Sequence, residues 1–329
     1  MIDLRSDTLT KPSPEMLEAM MSAETGDDVY GEDPTVNALE AFAAELTGKE
    51  AAIYAASGTQ SNLLGLLSHC QRGHEYIVGN SAHTYLYEGG GAAVLGGIQP
   101  CTIPFNERGE LPLDQVEAAI KPDDAHFAIT RLVCLENTQA GKVLSLDYLA
   151  AYSELTQKHG LLRHLDGARV FNAAVKLGVP VQEICQHFDS VSICLSKGLA
   201  CPVGSLLVGD TATIKSARRW RKMIGGGMRQ AGLLAAAGRY ALENNIERLQ
   251  QDHEHAATVA EALGELPGFG LAEQPQTNMV MLDTAMQLDG LIAHLQECGI
   301  KVNGHRWVFH RDVSAADTDQ LIEACRSYR

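Results

Sequence analysis

The chain has 329 residues, 45% of them hydrophobic, and a formal net charge of −15. The apolar fraction excludes a globally disordered chain, and the negative charge argues against non-specific binding to nucleic acid or anionic membranes. The eight cysteines include no CxxC pair, the start at Met1 is polar, and no apolar run reaches the about 18 residues of a spanning helix. The expectation is a soluble, cytoplasmic protein with reduced thiols.

The first 35 residues are rich in Asp, Gly and Pro and predict an ordered arm or loop. Residues 36–46 carry apolar side chains at helical spacing and stop at Gly48. A strand is expected at 51–56 and a helix at 60–68, then weaker strands at 76–79 and 94–95. A strand at 131–136, a helix at 148–159 and a strand at 161–165 follow, with two more strands at 191–195 and 204–209. Strands alternating with helices imply an α/β fold, a mostly parallel sheet with helices on both faces. A long helical stretch at 228–263 then leaves the sheet, and the region from Leu271 predicts one or two strands and two helices. The expected organisation is an N-terminal arm (1–14), a large α/β domain (15–245) and a small C-terminal α+β domain (246–329).

Two segments carry the chemistry, His164-Leu-Asp-Gly-Ala-Arg169 and Ser192-Ile-Cys-Leu-Ser-Lys197. Each sets a charged residue, Asp166 or Lys197, at the carboxyl end of an expected strand, the edge where open α/β sheets bind ligands. Pyridoxal 5′-phosphate needs this pair. A lysine amine forms a Schiff base with the cofactor aldehyde, and a carboxylate keeps the pyridine nitrogen protonated so that the ring accepts electrons. A lysine after a strand is by itself more often a surface residue; the combination points to the cofactor.

The turn Ala55-Ala-Ser57-Gly58-Thr59-Gln60 opens a helix and suits a phosphate, or is a plain helix cap. Arg218 to Arg229 holds five basic residues and three consecutive glycines; it reads as a phosphate-neutralising element or a solvated basic face. His253 and His255, two residues apart in a helical stretch, point to different faces and read as solvated, so no metal set is expected. No strand is followed by a GxGxxG turn, which disfavours a nucleotide-dependent oxidoreductase.

Leu4-Arg-Ser-Asp-Thr8, Gly26-Asp-Asp-Val-Tyr-Gly-Glu-Asp-Pro34, Leu195-Ser-Lys-Gly198, Pro202-Val-Gly-Ser205 and Gly225-Gly-Gly-Met-Arg-Gln230, with the Asp166 segment, resemble the threonine aldolases. The match is best to the bacterial low-specificity L-threonine aldolases and runs from residue 2 to about residue 315. The resemblance implies the fold-type-I architecture with a pyridoxal 5′-phosphate cofactor. It also implies retro-aldol cleavage of L-threonine, L-allo-threonine and related β-hydroxy-α-amino acids to glycine and an aldehyde. By that resemblance Lys197 is the Schiff-base lysine, Asp166 the ring-nitrogen partner, and Gly58 and Thr59 phosphate ligands. Ser6, Arg169 and Arg306 hold the substrate carboxylate, His83 stacks on the cofactor ring, and His126 lies near the substrate hydroxyl. It further implies a homotetramer, a dimer of dimers, with Lys222 and Arg229 reaching the phosphate of a neighbouring chain.

Four positions depart from the family: Gln139-Ala140 where relatives often have His-Asn, Ala200 where glycine is common, and Tyr87 where some have phenylalanine. A transaminase or a β-eliminating lyase on the same fold is the nearest alternative. A cofactor-free α/β binding protein is the alternative of a different class.

Overall fold

The computed structural model describes residues 1–328. Its strands are β1 (Ile2–Asp3), β2 (Ala51–Ala55), β3 (His74–Gly79), β4 (Gln99–Ile103), β5 (Ile129–Glu136), β6 (Leu162–Asp166), β7 (Ser190–Cys194), β8 (Ser205–Gly209), β9 (Met279–Met281), β10 (Ile300–Lys301) and β11 (Arg306–Val308). Seven of them form one sheet in the order β2-β8-β7-β6-β5-β3-β4. Every residue of β7 and β8 is buried, the mark of a sheet covered on both faces.

The pairings from β7 through β6, β5 and β3 to β4 are parallel, as the alternation of elements implies. β8 is the exception, antiparallel to both β7 and β2. The connection from Cys194 to Ser205 is too short for a crossover helix, so the chain can only turn back along its neighbour. That connection carries Lys197 at the carboxyl edge of the sheet.

Elsewhere the structure corrects the expectations. Residues 94–95 are not a strand; they lie in a short helix, Gly91–Gly96, between the left-handed glycines Gly90 and Gly97. A two-residue apolar run carries too little periodicity to separate strand from helix. The first 35 residues are more regular than their composition suggests. Ser13 caps a helix, α1 (Pro14–Met21), by accepting from the Met16 N–H, with proline in its first turn. Helices α2 (Pro34–Thr47) and α3 (Gly58–His69) stand where expected, α2 ending at Gly48 in the left-handed conformation. The stretch 228–263 is two helices, Gly232–Asn244 and Leu249–Gly264.

The main core spans the sheet and its helices, from Met16 to Leu249. A second core joins Ile2 and Leu4 to residues between Ala256 and Cys325, around the fully buried Trp307. There β9 pairs with β11, and β10 pairs in parallel with β1, so the start of the chain is tied to its last quarter. All eight cysteines are unpaired thiols, six of them buried. No helix of the described residues is long and apolar enough to cross a membrane.

Candidate active site

Because β3, β5, β6 and β7 run the same way, the residues at and just after their carboxyl ends gather at one edge. Glu136 ends β5 and lies in register with Asp166, which ends β6. His83 follows β3 and Lys197 follows β7. A cavity of about 640 Å³ opens there, lined among others by Ser6, His83, Glu136, Arg169, Lys197 and Arg306. Five of the residues expected from the sequence, Ser6, His83, Arg169, Lys197 and Arg306, are thus brought together. Asp166 lies just behind the lining and is buried.

The Asp166 carboxylate accepts from the amide of Asn62 at 3.0 Å and from the Ala168 N–H at 3.1 Å. Asn62 also donates to Glu88 at 2.8 Å, and Glu88 Oε1 lies 2.8 Å from His83 Nδ1. The bond to Glu88 raises the basicity of His83 above its ordinary value against the opposing effect of burial. Glu136 accepts from the His83 backbone N–H at 2.8 Å. Burial, with the charge of Asp166 beside it, pushes the Glu136 carboxyl up to about 7.

At the other end of the cavity Arg169 donates from Nε and Nη2 to both carboxylate oxygens of Asp7, at 2.8 and 2.7 Å. Burial alone would raise the Asp7 carboxyl, but Arg169 overcomes it and holds it at about 2. Arg306 at the start of β11 has its basicity lowered by burial and then by Arg169 nearby. Two guanidiniums facing one space favour an anion between them. The Lys197 ammonium makes no ion pair or hydrogen bond among the described residues; its carbonyl accepts from the Thr10 hydroxyl at 2.8 Å, which pins the loop.

Gly58 and Thr59 begin α3, where Ser57 caps the helix by accepting from the Gln60 N–H. A Cβ at Gly58 would meet Cys194 Sγ at 2.6 Å, so only glycine lets this helix start against β7.

Five expected site residues, Gly58, Thr59, His126, Lys222 and Arg229, do not line this cavity. His126 is on an exposed loop, its side chain 87% exposed and bonded to Asp124 at 2.6 Å. Lys222 lies in the last turn of the helix Thr211–Met223 and faces a separate groove of about 560 Å³ shared with Asp28 and Tyr30. Arg229 pairs with Asp27 at 2.9 Å.

Sequence reading missed Asp7, Asn62 and Glu88 and assigned no role to Glu136. Asn62 gave no local signal, because its helix also carries Thr59, Gln60, Ser61 and Ser68 among its four leucines. The expectation for His253 is also corrected. It is buried, lies 3.1 Å from the amide of Asn172, and burial drops its pKa to about 4. A helix in a polar stretch still turns one side to the core.

The departures from the family pattern acquire a structural meaning. Among the described residues Ala140 and Ala200 are the non-glycine residues with positive φ, 50° and 64°. Asparagine and glycine are the residues that adopt this conformation with least strain. Tyr87 lines the cavity with its ring 5.7 Å from that of His83.

The β-eliminating lyase family model matches residues 3–287. Over its full length the chain is 56% identical to the low specificity L-threonine aldolase of Escherichia coli K12, covering 98% of that protein. It is 43% identical to a probable low-specificity L-threonine aldolase 2 of Arabidopsis thaliana, covering 98% of this chain and 95% of that one. Among solved structures, a threonine aldolase of Leishmania major superposes with a TM-score of 0.86 over 100% of both chains at 21% identity, a likeness of fold. The architecture is the α/β fold type I. The chain belongs to the low-specificity L-threonine aldolase family.

Proposed function

We propose that this chain is a lyase that cleaves L-threonine, L-allo-threonine and related β-hydroxy-α-amino acids between Cα and Cβ, giving glycine and an aldehyde, with pyridoxal 5′-phosphate attached to Lys197. The observation that carries this reading is an unpaired lysine sharing one sheet edge with a buried, hydrogen-bonded aspartate and a pair of arginines.

The donor set fits the cofactor. Asp166 receives only two hydrogen bonds and keeps acceptor capacity for a ring N–H. Ser192 Oγ and Ser205 Oγ, on the strands flanking Lys197, are buried without partners. The Gly58 and Thr59 N–H groups at the start of α3 are free to meet a phosphate. When bound, the cofactor supplies a ring that accepts the electron pair of the broken bond.

The chain's own residues do the rest. Arg169 and Arg306, with Ser6, grip the substrate carboxylate and so fix the Cα–Cβ bond in one orientation. Arg169 keeps Nη1 for this grip because Asp7 occupies only Nε and Nη2. His83, its Nδ1 held by Glu88, has Nε2 left to take the β-hydroxyl proton, directly or through water, a step worth about 10²–10⁴-fold. His126, Lys222 and Arg229, which do not line this cavity, are assigned to the site of a neighbouring protomer in a dimer of dimers. We place the protein in the cytoplasm.

The purified protein should absorb in the visible, and borohydride should trap the cofactor on Lys197. Lys197→Ala should fold normally by circular dichroism and lose turnover of L-threonine. Near-wild-type cleavage by that variant removes the assignment, and a keto acid product in place of glycine turns the reading toward a transaminase.

A further inference from the structure

Helix α3 is buried on almost every side, and one of its faces is polar. Asn62, Gly65 and His69 are spaced three and four residues apart and share that face, which looks onto His164 of β6 and Ser190 of β7. A Cβ on Gly65 would stand 2.5 Å from His164 Cε1, so the imidazole packs directly beneath the helix. The chemistry proposed above uses none of these side chains.

Counting donors and acceptors settles where their hydrogens lie. Asn62 Nδ2 is 2.8 Å from Glu88 Oε1 and 3.0 Å from Asp166 Oδ2, and gives one hydrogen to each. The reversed amide would aim a carbonyl oxygen at two carboxyl groups. Asn62 Oδ1 is therefore the atom 3.2 Å from His164 Nε2, and as an acceptor it requires a hydrogen on Nε2. Burial lowers the His164 pKa to about 3, so the ring is neutral and Nδ1 is bare. Nδ1 then accepts from the Ser190 hydroxyl at 2.7 Å. The Ser190 oxygen is left to accept from His69 Nε2–H, also at 2.7 Å. Every donor in the chain points toward the carboxyl groups.

We propose that Asn62 is the positioning residue that joins the Asp166 carboxylate to the His83–Glu88 pair, and that the buried series His69, Ser190, His164 locks its amide the right way round. The catalytic consequence rests on the reading of Asp166 as the cofactor's partner; the direction of the hydrogen-bonded series does not. Asn62 bridges the two groups that face opposite demands, one to hold a charge and the other to move a proton. His164 acts only through Asn62.

Nitrogen-15 spectra of the histidine-labelled wild-type protein without cofactor test the series, with His164 assigned by comparison with His164→Gln. The expected result is a neutral His164 with its hydrogen on Nε2 across the neutral pH range. A hydrogen on Nδ1, or a titration in that range, overturns the proposal without touching the proposed reaction. Absence of cofactor binding by the wild type would instead remove the reaction and leave this result standing.

The second test measures cofactor affinity of the apoprotein by fluorescence titration, with kcat and KM, in Asn62→Ala, His164→Phe and the double variant. Losing a hydrogen bond to a charged group should weaken cofactor binding of Asn62→Ala about tenfold. Its kcat should fall by a similar factor while KM for L-threonine, set at the arginine end, stays near wild type. His164→Phe should do the same more weakly, and the double variant should be no worse than Asn62→Ala. Additive losses, or a lowered melting temperature with unchanged affinity and kcat, would show that the two side chains only support the fold. If Asn62→Ala does not fold, the wild-type spectrum still decides.

Discussion

Around Asp166 the buried charges are met by neutral donors, the Asn62 amide and the Ala168 N–H. Along residues 218–229 charges are met by opposite charges. Arg218 pairs with Glu40, Arg221 with Asp28 at 2.7 Å and Arg229 with Asp27 at 2.9 Å. A neutral donor stabilises a carboxylate and leaves its charge available to a ligand, whereas an ion pair consumes both charges. The inner region therefore keeps a net field for a cofactor. The outer one, for all its arginines, leaves Arg219 and Lys222 as its cations without an ion pair among the described residues. Lys222 is thus better placed than Arg229 to serve a neighbouring phosphate, because Arg229 has to share itself with Asp27.

Asp7 and Arg169 are where the inner site adopts the outer solution, and breaking that pair should have the largest effect on stability. Asp7→Asn leaves a buried guanidinium half-paired and should cost about 3–5 kcal/mol in urea denaturation. The pH dependence carries the same signature. The folded pKa of Asp7 is about 2, below its ordinary value of 3.8. The contribution is thus complete above pH 3.8 and lost as pH falls through 2. The variant should lack that acid limb.

Lys222→Ala sharpens the comparison from the outside. If Lys222 serves a partner's phosphate, the loss should be about 2–5 kcal/mol of cofactor binding with little change in stability. Mixing inactive Lys222→Ala with inactive Lys197→Ala under subunit exchange should restore activity, because one site of each hybrid is then intact. A mixture that stays inactive places Lys222 at its own chain's site, and a Lys222→Ala variant that is active alone places it at none.

A third measurement concerns Glu136, an inner carboxyl with no counter-ion. Its folded pKa of about 7 lies above the free value of 4.5, so the folded state binds the extra proton and stability falls as pH rises between them. Glu136→Gln should flatten this descent when denaturation midpoints are compared at about pH 5 and pH 8. An unchanged slope would mean that the carboxyl is ionised throughout.

The smallest effect is expected at Ala200, where no charge is involved. Ala200→Gly relieves a left-handed backbone, offset by the greater freedom of glycine in the unfolded chain, for a gain of about 1 kcal/mol or less. Thermal denaturation checks it, and a loss of stability would refute the strain.

Much of the site was legible in the sequence because its signals are local. Asp166 and Lys197 each end or follow an apolar run, and Ser57-Gly58-Thr59 sits between a strand and a helix. The reversal of β8 was legible only as the shortness of one connection. Asn62, Glu88 and His164 were not legible, because each is an ordinary residue until three separate elements bring them together. The Asp7–Arg169 pair likewise joins residues that no periodicity links. His126, Lys222 and Arg229 illustrate the reverse limit, in which a family resemblance assigns residues to a site that a single folded chain does not gather. The family departures at Ala140 and Ala200 carried no structural reason in the sequence; the backbone supplies one, since both are left-handed.

The pairing of β1 with β10 has a consequence for how the chain is made. Ile2 lies opposite Ile300, and the Leu4 N–H donates to the Lys301 carbonyl at 2.8 Å. The segment that follows carries Ser6 and Asp7. During synthesis this segment leaves the ribosome long before the strand it pairs with exists. The sheet, with Asp166 and Lys197 at its edge, can form meanwhile, but Arg306 has not yet been translated. The end of the cavity assigned to the substrate is therefore the last part of the nascent protein to be completed, closed by a contact spanning almost the entire sequence.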